Sequence, residues 1–219
     1  MEITLLNAHR VTTLLRTLLL SLCIGILPVI PSYANSSPEQ EISDAVDELL
    51  TEFTARRIEL EDDRLALYDM VDRRTRPYFD FEKIAKLVLA QNWKSASDAQ
   101  RQAFGEEFRK LLIRTYATAL FQYTGKEKMA FNSTDIKERS GRKSATVKSE
   151  VTLSDGPPID VSYYMILGED NRWKIYNMAI AGVNLVTNYR KTYGASIRSL
   201  GLDGLIESMR EANNSIQSG

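Results

Sequence analysis

The spacing of apolar residues changes twice along this chain, and that change limits the folds open to it. From about residue 37 to 125, apolar side chains recur at the spacing of one helix face. From about 127 to 181 they alternate with polar side chains, which is typical of strands with one buried face. Helical spacing returns after residue 185. This order predicts an α+β fold, with a helical layer packed on a curved antiparallel β-sheet.

Local signals predict where several elements begin and end. Ser97 and Gln100 form a Ser-x-x-Gln capping box, so a long helix should begin there and run to Gly125. Gly201 predicts a break in the last helical segment. The turn sequence at residues 155–158 is short, and short turns between strands favour an antiparallel meander.

Residues 1–34 have the organisation of an export signal. A weakly basic start is followed by an apolar run over residues 18–30, and the small residues Ser32 and Ala34 fit a cleavage site. The run is shorter than the ~20 residues that span a bilayer, which disfavours an uncleaved anchor. We therefore expect a cleaved secretion signal peptide, and a single domain over residues 35–219 outside the cytoplasm.

The chain's only histidine and only cysteine, His9 and Cys23, lie within that signal. Residues 35–219 therefore cannot supply a Ser–His or Cys–His pair, and they lack the nitrogen and sulfur ligands that zinc prefers. Asp160 remains as a candidate base for a small α+β isomerase or hydrolase. It falls on the polar side of its strand, so a solvated surface residue is the better interpretation. We expect no catalytic residue, no metal and no cofactor.

The charged residues argue against one class of partner and leave another open. Without the signal, the chain has 26 basic and 28 acidic side chains, and a nucleic-acid-binding protein would show a basic excess. Basic residues cluster at Arg73, Arg74 and Arg76, and again at Arg190 and Lys191. Such groups either stabilise helix carboxyl ends or form a patch for lipid phosphates or a partner protein.

Two segments, residues 78–125 and 173–209, carry a specific combination of residues. The first contains Trp93, Lys94, Ala96, Gln100, Arg101, Phe104, Phe108, Leu112 and Tyr116, and the second contains Trp173, Tyr176, Gly182, Val183, Gly201, Asp203, Gly204 and Leu205. With these positions the chain resembles the MlaC family of periplasmic phospholipid-binding proteins, also known as toluene-tolerance or Ttg2D-type proteins. It departs from the family's pattern at Asn177, Ala181 and Asn184, which predicts altered hydrogen bonds at a strand-to-helix corner.

The resemblance implies a monomeric periplasmic carrier that shuttles phospholipids between the inner and outer membranes and maintains outer-membrane lipid asymmetry. Its cargo would be a glycerophospholipid whose acyl chains lie in an apolar cavity. The implied partners are an inner-membrane ABC transporter with an MCE-type subunit and an outer-membrane lipoprotein–porin complex. A non-catalytic periplasmic adaptor with a filled core is the alternative.

We predict that the cavity wall combines the apolar face of the sheet with the helices that face it. The predicted lipid-binding residues are Val88, Phe104, Phe108, Leu112, Tyr116, Val161, Tyr163, Met165, Trp173, Ile175, Val186 and Tyr189. A helical aromatic stripe is more often core than ligand site, and periodicity alone does not separate the two.

Overall fold

Helices pack against an open five-stranded antiparallel sheet in the computed structural model, which describes residues 36–215. The predicted α+β class is confirmed. The predicted signal peptide, residues 1–34, lies outside the described residues.

The elements follow the predicted order of helices, strands and helix. The helices are α1 (Pro38–Asp62), α2 (Arg64–Thr75), α3 (Phe81–Leu89), α4 (Asn92–Ser95), α5 (Asp98–Ala117) and α6 (Leu185–Ser215), with 3₁₀ turns at Arg76–Tyr78 and Thr118–Gln122. The strands are β1 (Lys128–Arg139), β2 (Arg142–Thr152), β3 (Ile159–Leu167), β4 (Trp173–Ile180) and β5 (Val183–Asn184).

The strands form a meander, each pairing with its neighbour in the sequence. Tyr163 of β3 lies opposite Val147 of β2 and Met178 of β4. The register between β3 and β4 shifts between Tyr164 and Met165. Because of this irregularity, the simple alternation of faces does not continue unchanged to the end of β4.

The two helix signals are confirmed. The Ser97 hydroxyl accepts a 3.2 Å hydrogen bond from the Gln100 amide, and the Gln100 side chain accepts one of 3.0 Å from the Ser97 amide. Gly201 interrupts α6 with φ 73° and ψ 173°, a conformation essentially confined to glycine. The chain therefore changes direction inside α6 at the predicted residue.

The helix predicted to run to Gly125 is shorter than expected. α5 ends at Ala117 and a 3₁₀ turn over Thr118–Gln122 follows. Arg57 of α1 donates hydrogen bonds of 2.8 Å to the carbonyl oxygens of Phe121 and Tyr123. This tertiary contact satisfies carbonyls beyond the helix end, and no local sequence signal announces it.

Three apolar clusters make up the core. One joins α3, α5 and α6 around Phe104 and Phe108. A second places Ile42 of α1 against the sheet residues Val147 and Met165. The third joins α1, α2 and α5. Within residues 36–215, no helix combines the length and apolar character needed to cross a membrane.

Candidate ligand-binding cavity

An apolar cavity of about 270 Å³ lies where the helical clusters meet the end of β4. Its lining comes from α1, α2, α3, α5 and α6, from residues in or next to the two 3₁₀ turns, and from the end of β4. The lining residues are Leu49, Val71, Thr75, Phe79, Phe81, Ile84, Val88, Phe108, Leu112, Ile113, Tyr116, Ala117, Leu120, Asn177, Met178, Ile180, Leu185, Val186 and Tyr189.

Six of the twelve predicted wall residues line this cavity. They come from three helices that surround it, and they are Val88, Phe108, Leu112, Tyr116, Val186 and Tyr189. Their helical spacing places them on the inward faces of α3, α5 and α6. Their contact with lipid remains a prediction.

The other six predicted residues lie away from the cavity. Phe104 is completely buried between α5 and α6. The five sheet residues share a filled cluster with Ile42, because α1 covers that part of the sheet. These five are Val161, Tyr163, Met165, Trp173 and Ile175.

The sheet instead meets the cavity through the carboxyl-terminal half of its fourth strand, β4. Asn177, Met178 and Ile180 of β4 lie on the wall. They follow the register shift between β3 and β4, which period-two reasoning does not detect.

Phe79 and Phe81 are wall residues that the sequence reasoning missed. They flank Asp80, whose carboxylate caps α3 by accepting a 2.9 Å hydrogen bond from the Lys83 amide. The Asp80 amide donates a 2.9 Å hydrogen bond to the Ile175 carbonyl, which ties this corner to β4. Aromatic residues on both sides of a helix-capping aspartate were the available signal.

Aromatic contacts stiffen the helical wall. The ring of Tyr189 meets that of Phe108 edge-on, with centroids 5.0 Å apart, and Tyr193 contacts Phe108 at 5.7 Å. Burial, together with the neighbouring Tyr116 hydroxyl, raises the pKa of Tyr189 above its ordinary value. Burial also raises the pKa of Tyr193, to about 12. Both tyrosines therefore stay neutral at physiological pH.

Two polar residues of the wall, Thr75 and Asn177, form hydrogen bonds with the protein's own backbone. Thr75 donates a 2.8 Å hydrogen bond to the Val71 carbonyl. The side-chain oxygen of Asn177 accepts hydrogen bonds from the amides of Met178, at 2.9 Å, and Val186, at 3.2 Å. Asn177 thus bonds the strand-to-helix corner at which the chain departs from the family pattern. None of the lining residues carries a charge.

The exposure of Tyr116 points to an opening of the cavity, a mouth, beside this residue. This side chain lines the cavity, yet 43% of the residue is exposed to solvent. An apolar cavity with such a mouth can take up the apolar part of an amphipathic molecule and leave its polar part in water.

Four of the five basic residues singled out in the sequence have partners within the fold, and among them Arg76 pairs with Asp72. Arg73 and Arg74 both bind Glu52 of α1, at 2.6 and 2.5 Å. Arg190 donates a 2.8 Å hydrogen bond to the Leu87 carbonyl near the end of α3. These contacts favour a structural role. Asp160 is exposed on β3 and does not line the cavity.

Comparison with known proteins agrees with this architecture. The sequence profile of the family described as MlaC protein matches residues 43–211. The chain is 26% identical over 198 residues to the intermembrane phospholipid transport system binding protein MlaC of Haemophilus influenzae, across 90% of this chain and 91% of that protein. It is 26% identical over 173 residues to toluene tolerance protein ttg2D of Pseudomonas putida, across 78% of this chain and 77% of that protein.

A solved structure shares the fold. The phospholipid-binding protein from Ralstonia solanacearum, determined in complex with a phospholipid, matches with a TM-score of 0.72 and 24% sequence identity. The match covers 83% of this chain and 99% of that one. Because the family profile spans most of the sequence, we conclude that this chain belongs to the MlaC protein family.

Proposed function

We propose that this chain is a periplasmic phospholipid carrier that moves lipid between the inner and outer membranes. The observation that carries the proposal is the uncharged, apolar cavity, one of whose lining residues, Tyr116, is also exposed to solvent. In this proposal, the acyl chains of a glycerophospholipid occupy the cavity and the headgroup stays outside it. The Haemophilus influenzae relative is named for phospholipid transport and the Ralstonia solanacearum protein was solved with a bound phospholipid, and both support this choice of cargo.

Burial of acyl chains supplies the affinity such a carrier needs. Two chains with roughly 30 methylenes, at about 0.8 kcal/mol each, gain on the order of 20 kcal/mol relative to water. Loss of lipid into water is therefore negligible. A bilayer offers the chains a similar environment, so exchange with a membrane is close to balanced.

The size of the cavity constrains how the lipid enters. At about 270 Å³ it lies just below the range of roughly 300–1,000 Å³ typical of pockets for drug-sized ligands. Two full acyl chains need more room than this. We propose that lipid entry widens the cavity, with the helical wall moving away from the end of β4.

Carriage between two membranes requires export and two docking partners. We propose that residues 1–34 are removed as a signal peptide and that residues 35–219 act as one monomeric domain. An inner-membrane ABC transporter with an MCE-type subunit and an outer-membrane lipoprotein–porin complex are the proposed partners. Such exchange would maintain outer-membrane lipid asymmetry.

A carrier of this kind needs no catalytic group. Its task is to keep acyl chains from water and to release them at a membrane, and neither step makes or breaks a covalent bond. Asp160, the one candidate base, is solvent-exposed and lies outside the cavity lining.

Transfer of labelled lipid tests the proposal. Donor vesicles containing a fluorescent phospholipid are incubated with the purified chain, which is then separated and mixed with unlabelled acceptor vesicles. We expect the chain to leave the donor vesicles with label and to pass it to the acceptors. Label that never leaves the donor vesicles would count against a carrier and favour an adaptor with a filled core.

A further inference from the structure

We propose that the apolar cavity also takes up small aromatic hydrocarbons, one molecule at a time, and that such a guest keeps acyl chains out of it. The chemical class is a single benzene-type ring with short alkyl substituents, such as toluene. Uptake of the hydrocarbon is independent of the proposed function. Only the exclusion of acyl chains rests on that function, because it requires both guests to use the same space.

The volume of the cavity matches one such molecule. A cavity of roughly 150 Å³ with an aliphatic and aromatic lining is already large enough to bind benzene. The cavity of this chain has a volume of about 270 Å³. A single alkylated ring therefore fits without displacement of the wall, whereas two acyl chains require the wall to move.

The wall offers few partners to water. Its polar residues are Thr75, Tyr116, Asn177 and Tyr189. The Thr75 hydroxyl and the Asn177 side-chain oxygen bond the backbone, and the hydroxyl of Tyr116 neighbours that of Tyr189. A buried water needs about two to four polar partners, so an apolar guest suits this cavity better than water does.

Aromatic side chains make up much of the wall, and they are Phe79, Phe81, Phe108, Tyr116 and Tyr189. The rings of Phe79 and Phe81 are stacked with centroids 5.6 Å apart, and those of Phe108 and Tyr189 meet edge-on at 5.0 Å. Aromatic pairs in these arrangements gain more than their buried area alone provides. A guest ring against these side chains gains the same kind of contact. The wall therefore favours an aromatic hydrocarbon over a saturated one of equal size.

A bound hydrocarbon opposes lipid uptake in two ways. It occupies the space beside Leu112 and Val186 that the proposed function gives to acyl chains. It also binds the narrow form of the cavity, while lipid requires the wider form. A ligand that prefers one of two conformations shifts the population towards that conformation. Hydrocarbon and lipid should therefore compete for the chain.

Thermal unfolding of the delipidated chain in a sealed cell tests uptake of the hydrocarbon. Toluene at about five times its dissociation constant should raise the Tm by about 2–4 °C. Benzoate, which has the same ring and a carboxylate, should leave the Tm unchanged, because no lining residue carries a charge to pair with it. No rise in Tm with toluene at any concentration up to saturation would overturn the proposal.

Bulk added to the wall shows whether toluene binds in the cavity. Leu112→Trp on α5 and Met178→Trp on β4 fill it from two sides, and both positions are only partly buried. Ile58→Trp, at an exposed position outside the lining, is the matched control. The rise in Tm should be lost in each wall variant that folds and kept in Ile58→Trp. A rise of the same size in all the variants would overturn the assignment to this cavity.

Competition with a single acyl chain tests the exclusion. The probe is a fluorescent fatty acid below its micelle concentration, so that no membrane is present for toluene to perturb. At the same fivefold excess of toluene, the apparent dissociation constant of the fatty acid should rise about sixfold. An unchanged constant would overturn the exclusion. A fatty acid that never binds the unmodified chain, while toluene still raises the Tm, would instead count against the proposed function and leave hydrocarbon uptake standing.

Discussion

The carboxylate of Glu52 on α1 accepts a 2.6 Å hydrogen bond from the guanidinium of Arg73 on α2. Arg74 and Arg56 bind the same carboxylate, at 2.5 and 2.8 Å. Hydrogen bonds from Arg73, and then from Arg74 and Arg56, lower the pKa of Glu52 from 4.5 to about 2. This shared contact fastens the first two helices to each other beside the cavity wall.

Replacement of Glu52 should therefore destabilise the fold in a pH-dependent way. We expect Glu52→Gln to cost about 1–2 kcal/mol at neutral pH, because three partly exposed guanidinium groups lose their acceptor. The folded-state pKa of Glu52 lies below its unfolded value. The stabilisation is thus complete above pH 4.5 and is lost as the pH falls towards 2.

Urea unfolding at several pH values measures this effect. The difference between the unmodified chain and Glu52→Gln should shrink as the pH falls below 4.5. Glu61→Gln is the control, because Glu61 forms only an exposed ion pair with Arg57. A difference that stays constant down to pH 2 would contradict the assignment.

A charge placed in the cavity should remove lipid without unfolding the chain. Leu112 lines the cavity on α5 and is only partly buried, so the fold should tolerate an arginine there. We expect Leu112→Arg to reduce bound phospholipid at least about tenfold, because a charge beside the acyl chains is costly. Lipid extraction and circular dichroism measure the two properties separately.

The same substitution at an exposed site is the control for Leu112→Arg. Ile58 on α1 is 82% exposed and does not line the cavity. Ile58→Arg should keep both the fold and the lipid. Equal lipid content in the two variants would mean that the cavity does not hold the acyl chains.

The sheet residues predicted as wall should behave as core. Met165 is 1% exposed and packs in the cluster between α1 and the sheet. We expect Met165→Ala to lower the free energy of unfolding by about 2–5 kcal/mol, and Met165→Leu, which conserves volume, by less than about 1.5 kcal/mol. Folded Met165→Ala should still bind lipid. A stable Met165→Ala variant that has lost lipid would show that Met165 lines the cavity and is not a core residue.

Two glycines of α6 should respond to alanine in opposite directions. Gly201 has φ 73° and ψ 173°, and an added Cβ would meet nothing within 4 Å, so any cost comes from the backbone. We expect Gly201→Ala to destabilise by about 1–3 kcal/mol. Gly194 lies in regular helix with an ordinary Cβ contact, and Gly194→Ala should stabilise by up to about 1 kcal/mol. Thermal unfolding compares the two, and a change of the same sign in both would count against the break at Gly201.

The sequence predicted features that depend on neighbouring residues better than features that depend on distant ones. The capping box at Ser97 and the break at Gly201 require only local hydrogen bonds or backbone angles, and both were found where predicted. The end of α5 was predicted too late, because Arg57 satisfies the following carbonyls from another helix.

The cavity wall was likewise predicted only in part, because apolar faces depend on local spacing and their partners depend on distant residues. Helical spacing identified the inward faces that carry Leu112 and Tyr189, and strand spacing identified the apolar face that carries Val161. Whether such a face meets a cavity or a covering helix depends on where α1 lies. α1 covers Val161 and leaves the end of β4 open to the cavity. The spacing of apolar residues in the helices and strands predicts neither fact.

Native mass spectrometry of the gently purified chain tests the central claim most directly, because it weighs the protein together with what the cavity holds. We expect a population heavier than the mature chain by the mass of one diacyl phospholipid, and loss of that mass in Leu112→Arg. A single population at the mass of the bare chain, both as isolated and after incubation with phospholipid vesicles, would contradict the account.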